Sequence, residues 1–337
     1  MLNRVTAPYN STVITSTESP ATQGGSARLA GSPLLMAGLG AATISSSAVL
    51  ITLSGASPAS TAFYRTALAL PLLGMLAVLE RRRLGPRPVA QRLRAAGSGL
   101  FLAVDLILWA HAIADVGAGV ATVLGNLQVL FVAAIAWLLW NERPGRAVAF
   151  ALPVVILGVV LVSGLVGSRT AAAEHPLAGI WFGVGTSIAY SGYLLMLRRS
   201  TATSPHIAAP VADATAGAAC GALAYGLAFG GLGLHPVWPA IGWLTLLALL
   251  SQTAGWLFIA ASLPRLPAAV SSLMLLLQPA ASLALADLIL GQQPTLVQVV
   301  GAILTCGGAV LASMSATRQA GLPSDVTRAE TGRHGPP

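Results

Sequence analysis

Apolar runs close to twenty residues long recur from Leu34 to about Ala316, separated by short turns that hold the prolines and most of the charge. A bilayer core takes ~20 apolar residues per helix, and a chain built of such runs has no soluble fold in which to bury them all. Charged residues make up only 8% of the chain against 55% apolar, where an ordinary soluble domain carries about 25% charged. The pattern predicts an all-α integral membrane protein with ten transmembrane helices. The expected spans are 33–53, 58–79, 95–113, 117–140, 146–166, 177–197, 207–230, 240–261, 267–290 and 296–316. Pro33, Pro58, Pro144, Pro176, Pro205 and Pro294 fall at their starts or turns, where a missing N–H costs little. Segment seven is the weakest span, Gly/Ala-rich and interrupted by Asp213.

The net charge of +8 comes from eighteen arginines and no lysine. In a soluble chain such a balance would suggest nucleic-acid binding. Here the arginines sit in loops and tails without aromatic interleaving or a nucleic-acid motif, so a membrane-surface role fits them and nucleic acid is not an expected partner. With ten spans, the side shared with the N-terminus holds Arg4, Arg28, the cluster Arg81 to Arg94, Arg143, Arg146, Arg198, Arg199, Arg265, Arg318, Arg328 and Arg333. The opposite side holds only Arg169, and Arg65 lies within a helix. Cytoplasmic loops collect arginine and lysine, which places both termini in the cytoplasm; the expected location is the plasma membrane. Residues 1–32 and 317–337, polar and without an apolar core, are expected to be disordered cytoplasmic tails. Cys220 and Cys306 lie far apart in apolar segments with no metal or redox spacing.

The chain also repeats itself at an offset of 150. Gln128 matches Gln278, Pro144 matches Pro294 and Gly158 matches Gly308, and LQVLFVAAIAWLLWNERP aligns with LQPAASLALADLILGQQP without a gap. Two repeats at 33–166 and 177–316 of five helices each, an odd number, must be inverted relative to one another. Inverted repeats of this kind are a secondary-transporter architecture, with substrate bound near the midplane between halves.

In these features the chain resembles the EamA family of the drug/metabolite transporter superfamily, over about 33–316. The resemblance is carried by the two five-helix halves, by Pro58 followed by Arg65 in the second helix, by Ala133, Ile135, Trp137, Leu139, Glu142 and Arg143 at the end of the fourth, and by Gln278–Pro279 in the ninth. Two departures stand out: Val129 replaces the proline expected in the first half, and Gln292 replaces an acidic residue in the second. The resemblance implies a central cavity lined by helices one to four and six to nine, and export or uptake of small metabolites such as amino acids or drugs.

Charges inside a bilayer cost ~2.5–3.5 kcal/mol on insertion scales, so they mark functional or paired positions. Asp105, midway along helix three with Trp109 one turn on, is either a proton-coupling or cation-binding carboxylate or a fastening between helices. Arg65, in the outer third of helix two, and Asp213, in the inner third of helix seven, sit at near mirror-related levels. Each either guards one side of a cavity or serves structure. A direct pair between them is not expected across roughly 10–15 Å of depth. Asp287 is expected at the outer interface, and His111 is a weaker candidate for a proton relay.

A neutral polar layer joins these charges. Gln128 and Gln278 fall at mid-helix in repeat-related positions, with Asn126, Ser187, Tyr190, Ser251, Gln252 and the run Ser45 to Ser47 at similar depth. Amide side chains offer both donors and acceptors, which suits an amino acid or another polar metabolite. Pro279 leaves the Leu275 carbonyl without its helical partner, another candidate ligand. The alternative for all of them is hydrogen bonding between helices.

The expected function is therefore secondary active transport through alternating access; export of a small metabolite, amino acid or drug-like compound is what the resemblance implies, and Asp105 is the candidate for coupling it to protons. No metal or other cofactor is expected. A membrane-embedded or lipid-modifying enzyme would need catalytic groups clustered at one interface, and a non-transporting scaffold would bury Asn126, Gln128 and Gln278 in a filled core. Membrane lipids are expected partners, and the small-residue pairs Gly217/Gly221 and Gly226/Gly230 leave room for a homodimer.

Overall fold

The computed structural model describes residues 32–142, 144–162, 176–202, 204–233, 235–291 and 294–320. The expected tails lie outside these residues, except that Thr317–Ala320 continue the last helix instead of leaving it. Among the described residues there is helix and no strand. Seven helical stretches are long and apolar enough to cross a membrane: Pro33–Ser54, Pro58–Leu84, Val89–Ala112, Leu177–Ala202, Ala208–Phe229, Ala240–Arg265 and Ala268–Ile289. Three shorter apolar helices, Leu124–Trp140, Val148–Leu161 and Leu296–Gly308, cover the other expected segments. Segment seven, expected to be the weakest, is one unbroken helix.

In chain order the α-helices are α1 (Pro33–Ser54), α2 (Pro58–Ala67), α3 (Leu70–Leu84), α4 (Val89–Asn126), α5 (Gln128–Trp140), α6 (Arg146–Val162), α7 (Pro176–Ala202) and α8 (Ala208–Phe229). They continue with α9 (Ala240–Leu247), α10 (Trp256–Ser262), α11 (Ala268–Leu275), α12 (Leu277–Leu290) and α13 (Leu296–Ala320). Ser57 caps α2, its hydroxyl accepting the Ser60 N–H, and Pro58 supplies the first turn.

Residues 89–126 are helical throughout, where the sequence predicts a break between 113 and 117. The stretch is nevertheless not one straight rod. Thr186 Oγ1 donates to the Asp105 carbonyl, while its neighbour Ser187 donates to the Leu124 and Gly125 carbonyls. In a straight helix Asp105 and Leu124 would be about 28 Å apart at 1.5 Å per residue. The chain therefore doubles back between them, and Trp109 lies beside the backbone of Gly125.

The two halves carry the same punctuation. The fourth and ninth segments are each interrupted near the middle, at Leu127 and at Leu276, although only the second has a proline nearby. Val129 thus removes the proline from the first half without removing the break. Both segments then end on a left-handed residue 150 apart, Asn141 with φ 56° and Gly291 with φ 64°, and each donates its N–H to a carbonyl four residues back, Trp137 and Asp287.

Packing obeys the same two-fold relation. A Cβ on Gly158 would strike Thr305 and Gly301, and a Cβ on Gly308 would strike Val155 and approach Ala151. Adding 150 to one set and subtracting it from the other interchanges them. Because residue numbers rise along α6 as they fall along α13, these equivalent helices are antiparallel, as inverted repeats require. The same crossing sense joins α1 to the eighth segment, where Gly40 meets Ile259 and Ser47 bonds Ser251.

Candidate functional site

Arg65 is 7% exposed, and a buried guanidinium must find partners. Its Nε donates to Gln252 Oε1 at 3.2 Å and its Nη2 to Ser251 Oγ at 3.4 Å. Gln252 Nε2 in turn donates to Thr215 Oγ1 at 3.1 Å, and Ser251 shares a 2.7 Å hydrogen bond with Ser47. One network thus ties α1, α2 and α8 to the eighth segment. Asp105, 8% exposed, shares its electrostatic environment with Arg65. None of the ion pairs formed among the described residues joins the two directly.

Ser251 and Gln252 sit where they do because the helix there is widened. Ala248–Gly255 is π-helical, and Thr253 Oγ1 donates to the Ala248 carbonyl five residues back. A π-turn bulges side chains out of the regular spiral and recurs at functional sites. Nothing in the sequence periodicity predicted it.

Beside this network lies an aromatic wall. Tyr193 and Trp256 pack edge to face at 4.6 Å, with Tyr190 at 6.4 and 6.2 Å from them. Tyr190 also lies against the Gln278 side chain. Three buried polar atoms from these helices find no hydrogen-bond partner, Gln128 Oε1, Tyr193 Oη and Trp256 Nε1, while the Gln278 amide faces the Tyr190 hydroxyl. Buried polar atoms are almost always satisfied, so such a concentration is chemically significant. Tyr193, Trp256 and Thr215 were not foreseen. The signal available for two of them was helical spacing, since Tyr193 follows Tyr190 by three residues and Trp256 follows Gln252 by four.

The structure separates the other expected site residues from this group. Asp213 is held by Arg87 Nη1 at 2.7 Å from the turn before α4, with Arg92 Nε of α4 at 3.9 Å. It makes no pair with Arg65, as expected from their depths. The Ser187 hydroxyl is spent on the Leu124 and Gly125 carbonyls. Asn126 lines a small crevice with Leu127, Ile156, Val159 and Leu276, and Trp109 packs against Gly125. Each of these three thus has a neighbour within the helix bundle. Gly217 and Gly221 likewise face Ala96 and Ala103 of α4. That small-residue stripe is consumed within the chain and is not free for a dimer. Asp287 is exposed at the end of its helix, as expected.

The two ends of the bundle differ. On the arginine-rich side, Glu142 pairs with Arg198 at 2.7 Å and accepts the Ala268 N–H at the start of α11. Arg198 also donates to the Leu263 and Leu266 carbonyls. Nearby, the Glu80 carboxylate accepts the N–H groups of Ile207, Ala208 and Ala209 at 2.9 Å each, capping α8. At the opposite end a cavity of about 290 Å³ opens between α2, α4 and α8. Ala62 and Leu106 line its floor, next to the Arg65 and Asp105 layer, and His111 bonded to Tyr225 at 2.7 Å lines its rim.

Two inverted helical halves that converge polar side chains on a buried layer define the class of a membrane transporter. The chain belongs to the EamA-like transporter family, which it matches over residues 31–164 and 177–314, and so to the drug/metabolite transporter superfamily. Members of that family are transporters rather than enzymes. Twenty-nine chains of solved structures match. One, described only as "Crystal structure of protein", has a TM-score of 0.71 at 18% identity, covering 85% of this chain and 98% of its own, a likeness of fold. No curated protein matches.

Proposed function

We propose that the protein is a secondary carrier that exports a small polar or amphipathic metabolite, such as an amino acid or a drug-like compound, by alternating access. The observation that carries this is the set of unpartnered buried atoms on Gln128, Tyr193 and Trp256, beside the Arg65–Gln252 network and the Tyr190–Gln278 contact. Leaving a buried donor or acceptor unmade costs about 1–3 kcal/mol, and a substrate supplying both partners recovers that. Gln128, Gln278, Gln252 and Tyr190 are the proposed ligand contacts, Arg65 takes an anionic group, and Asp105 carries the coupling proton.

The helix directions support ten crossings, with the three shorter apolar helices completing the bundle and both termini on the arginine-rich, cytoplasmic side of the plasma membrane. A cavity at the outer end and ion pairs closing the inner end describe an outward-facing carrier. Inward opening would break the Glu142–Arg198 pair.

The test is flux of a substrate library into and out of proteoliposomes with and without a pH gradient. Transport is expected, driven by the gradient, with Gln278→Leu raising the apparent KM and Asp105→Asn abolishing gradient-driven accumulation while leaving exchange. Full gradient dependence in Asp105→Asn removes the proton role. An unchanged KM in Gln278→Leu removes the site.

A further inference from the structure

Six of the eighteen arginines fall between Arg81 and Arg94, in the hairpin that joins α3 to α4. The other loops on this side hold one or two each. Orientation in the membrane needs only the count, so the concentration calls for its own cause. Arg81, Arg82 and Arg83 occupy the last turn of α3, where a helix end already attracts the positive side chain. Gly85, with φ 86°, and the prolines at 86 and 88 turn the chain there, and Arg92 and Arg94 follow in the first turns of α4.

The acids within reach are committed elsewhere. Glu80 is spent on three backbone N–H groups of the α8 start. Asp213 is held by the buried Arg87, with Arg92 only at 3.9 Å. Arg81, Arg82, Arg83 and Arg94 are exposed and form no ion pair among the described residues. The same hairpin exposes Val89 (68%) and Leu93 (67%) one helical turn apart. An apolar pair bordered by guanidinium groups is the arrangement that suits the boundary between acyl chains and headgroups.

We propose that this hairpin is a binding site for the phosphodiester headgroups of anionic phospholipids in the leaflet on the arginine-rich side. The guanidinium fork matches phosphate oxygens in pairs, and Val89 and Leu93 enter the acyl layer below. Since Glu80 and Arg87 of the same hairpin grip α8, lipid bound there braces the contact between the two halves on that side.

The experiment titrates purified full-length protein in neutral detergent with phosphatidylglycerol or phosphatidylcholine, counting bound lipids by native mass spectrometry. Wild type is expected to prefer phosphatidylglycerol. The variant R81Q/R82Q/R83Q/R94Q is expected to lose that preference at least tenfold, at about fivefold per arginine near an anionic surface. The variant R146Q/R265Q is expected to keep it. Equal losses in both variants, or none in the first, overturn the site. So does an acidic peptide that displaces phosphatidylglycerol at equimolar concentration. If the quadruple variant does not fold, the quadruple Arg→Lys variant decides. It preserves charge but not the fork, and an affinity for phosphatidylglycerol equal to wild type overturns the phosphate assignment.

Discussion

Arg65 Nε donates to Gln252 Oε1 across 3.2 Å, joining the second helical segment of one half to the eighth segment of the other. The bond places a cation's strongest neutral partner on the widened turn of a π-helix. The first half alone would leave the Arg65 guanidinium without these partners, so the network fastens the two halves together.

Gln252→Leu should therefore cost more than its neighbour Thr215→Val. The first removes a hydrogen bond to a charged group, worth ~1.5–3 kcal/mol, and the second a neutral interhelical bond worth about 0.6 kcal/mol. Thermal unfolding in detergent should place the midpoint of Gln252→Leu clearly below that of Thr215→Val. The reverse order would mean that Arg65 finds another partner unaided.

Adjacent glycines on α13 give a test with opposite signs. A Cβ on Gly308 would lie 2.4 Å from Val155 Cγ2, whereas one on Gly307 meets nothing within 4 Å. Gly308→Ala should destabilise by about 1–3 kcal/mol through overpacking, and Gly307→Ala should be neutral or stabilise by up to about 1 kcal/mol. Gly158→Ala should behave like Gly308→Ala, because its Cβ would lie 2.4 Å from Thr305 Oγ1. Unfolding midpoints of the three variants are the measurement. Equal behaviour of 307 and 308 would contradict the α6–α13 packing.

How much of this was legible beforehand divides along a physical line. Hydropathy and spacing report which face of a helix is polar and where it must stop. The ends of the fourth and ninth segments at Asn141 and Gly291 followed from that. Spacing is silent about the partner across the gap. Asn126 and Ser187 lie at the same depth as Gln128, but one turned to a crevice beside α6 and the other to backbone carbonyls. Asp213 read as a possible guard of the cavity because the arginine that claims it, Arg87, belongs to a loop. The π-turn was invisible because its polar residues Ser251, Gln252 and Thr253 are consecutive, and a consecutive run carries no periodicity that could tell a wide turn from a regular one.

Trp256 separates a structural from a ligand-binding role. Its Nε1–H is buried without an acceptor, while its ring packs on Tyr193 and Tyr190. Trp256→Phe keeps most of the aromatic contact and deletes the orphan donor. The apo protein should unfold no earlier than wild type, since a buried donor lacking a partner is a liability. Transport should nevertheless weaken, with a rise in apparent KM of about tenfold for one lost hydrogen bond of ~1.4 kcal/mol. Loss of stability without a change in KM would assign the indole to packing alone.

The Glu142–Arg198 pair should couple stability to conformational state. Its side chains are 35% and 18% exposed, so the direct attraction is modest, about 0.2–1 kcal/mol in a double-mutant cycle. Glu142 does more than pair, however, because its second oxygen accepts the Ala268 N–H at the head of α11. Glu142→Gln keeps an acceptor for that N–H and loses only the charge, whereas Glu142→Ala loses both. If this contact closes the arginine-rich end, a cysteine placed at Leu266, which is buried and whose carbonyl accepts from Arg198, should react slowly with a membrane-impermeant maleimide applied from that side. Its reactivity should rise with Glu142→Gln and further with Glu142→Ala, in step with the bonds removed. Identical labelling rates in all three backgrounds would show that the pair does not hold that end shut, and the inner closure would then rest on Glu80 and its three N–H contacts to α8.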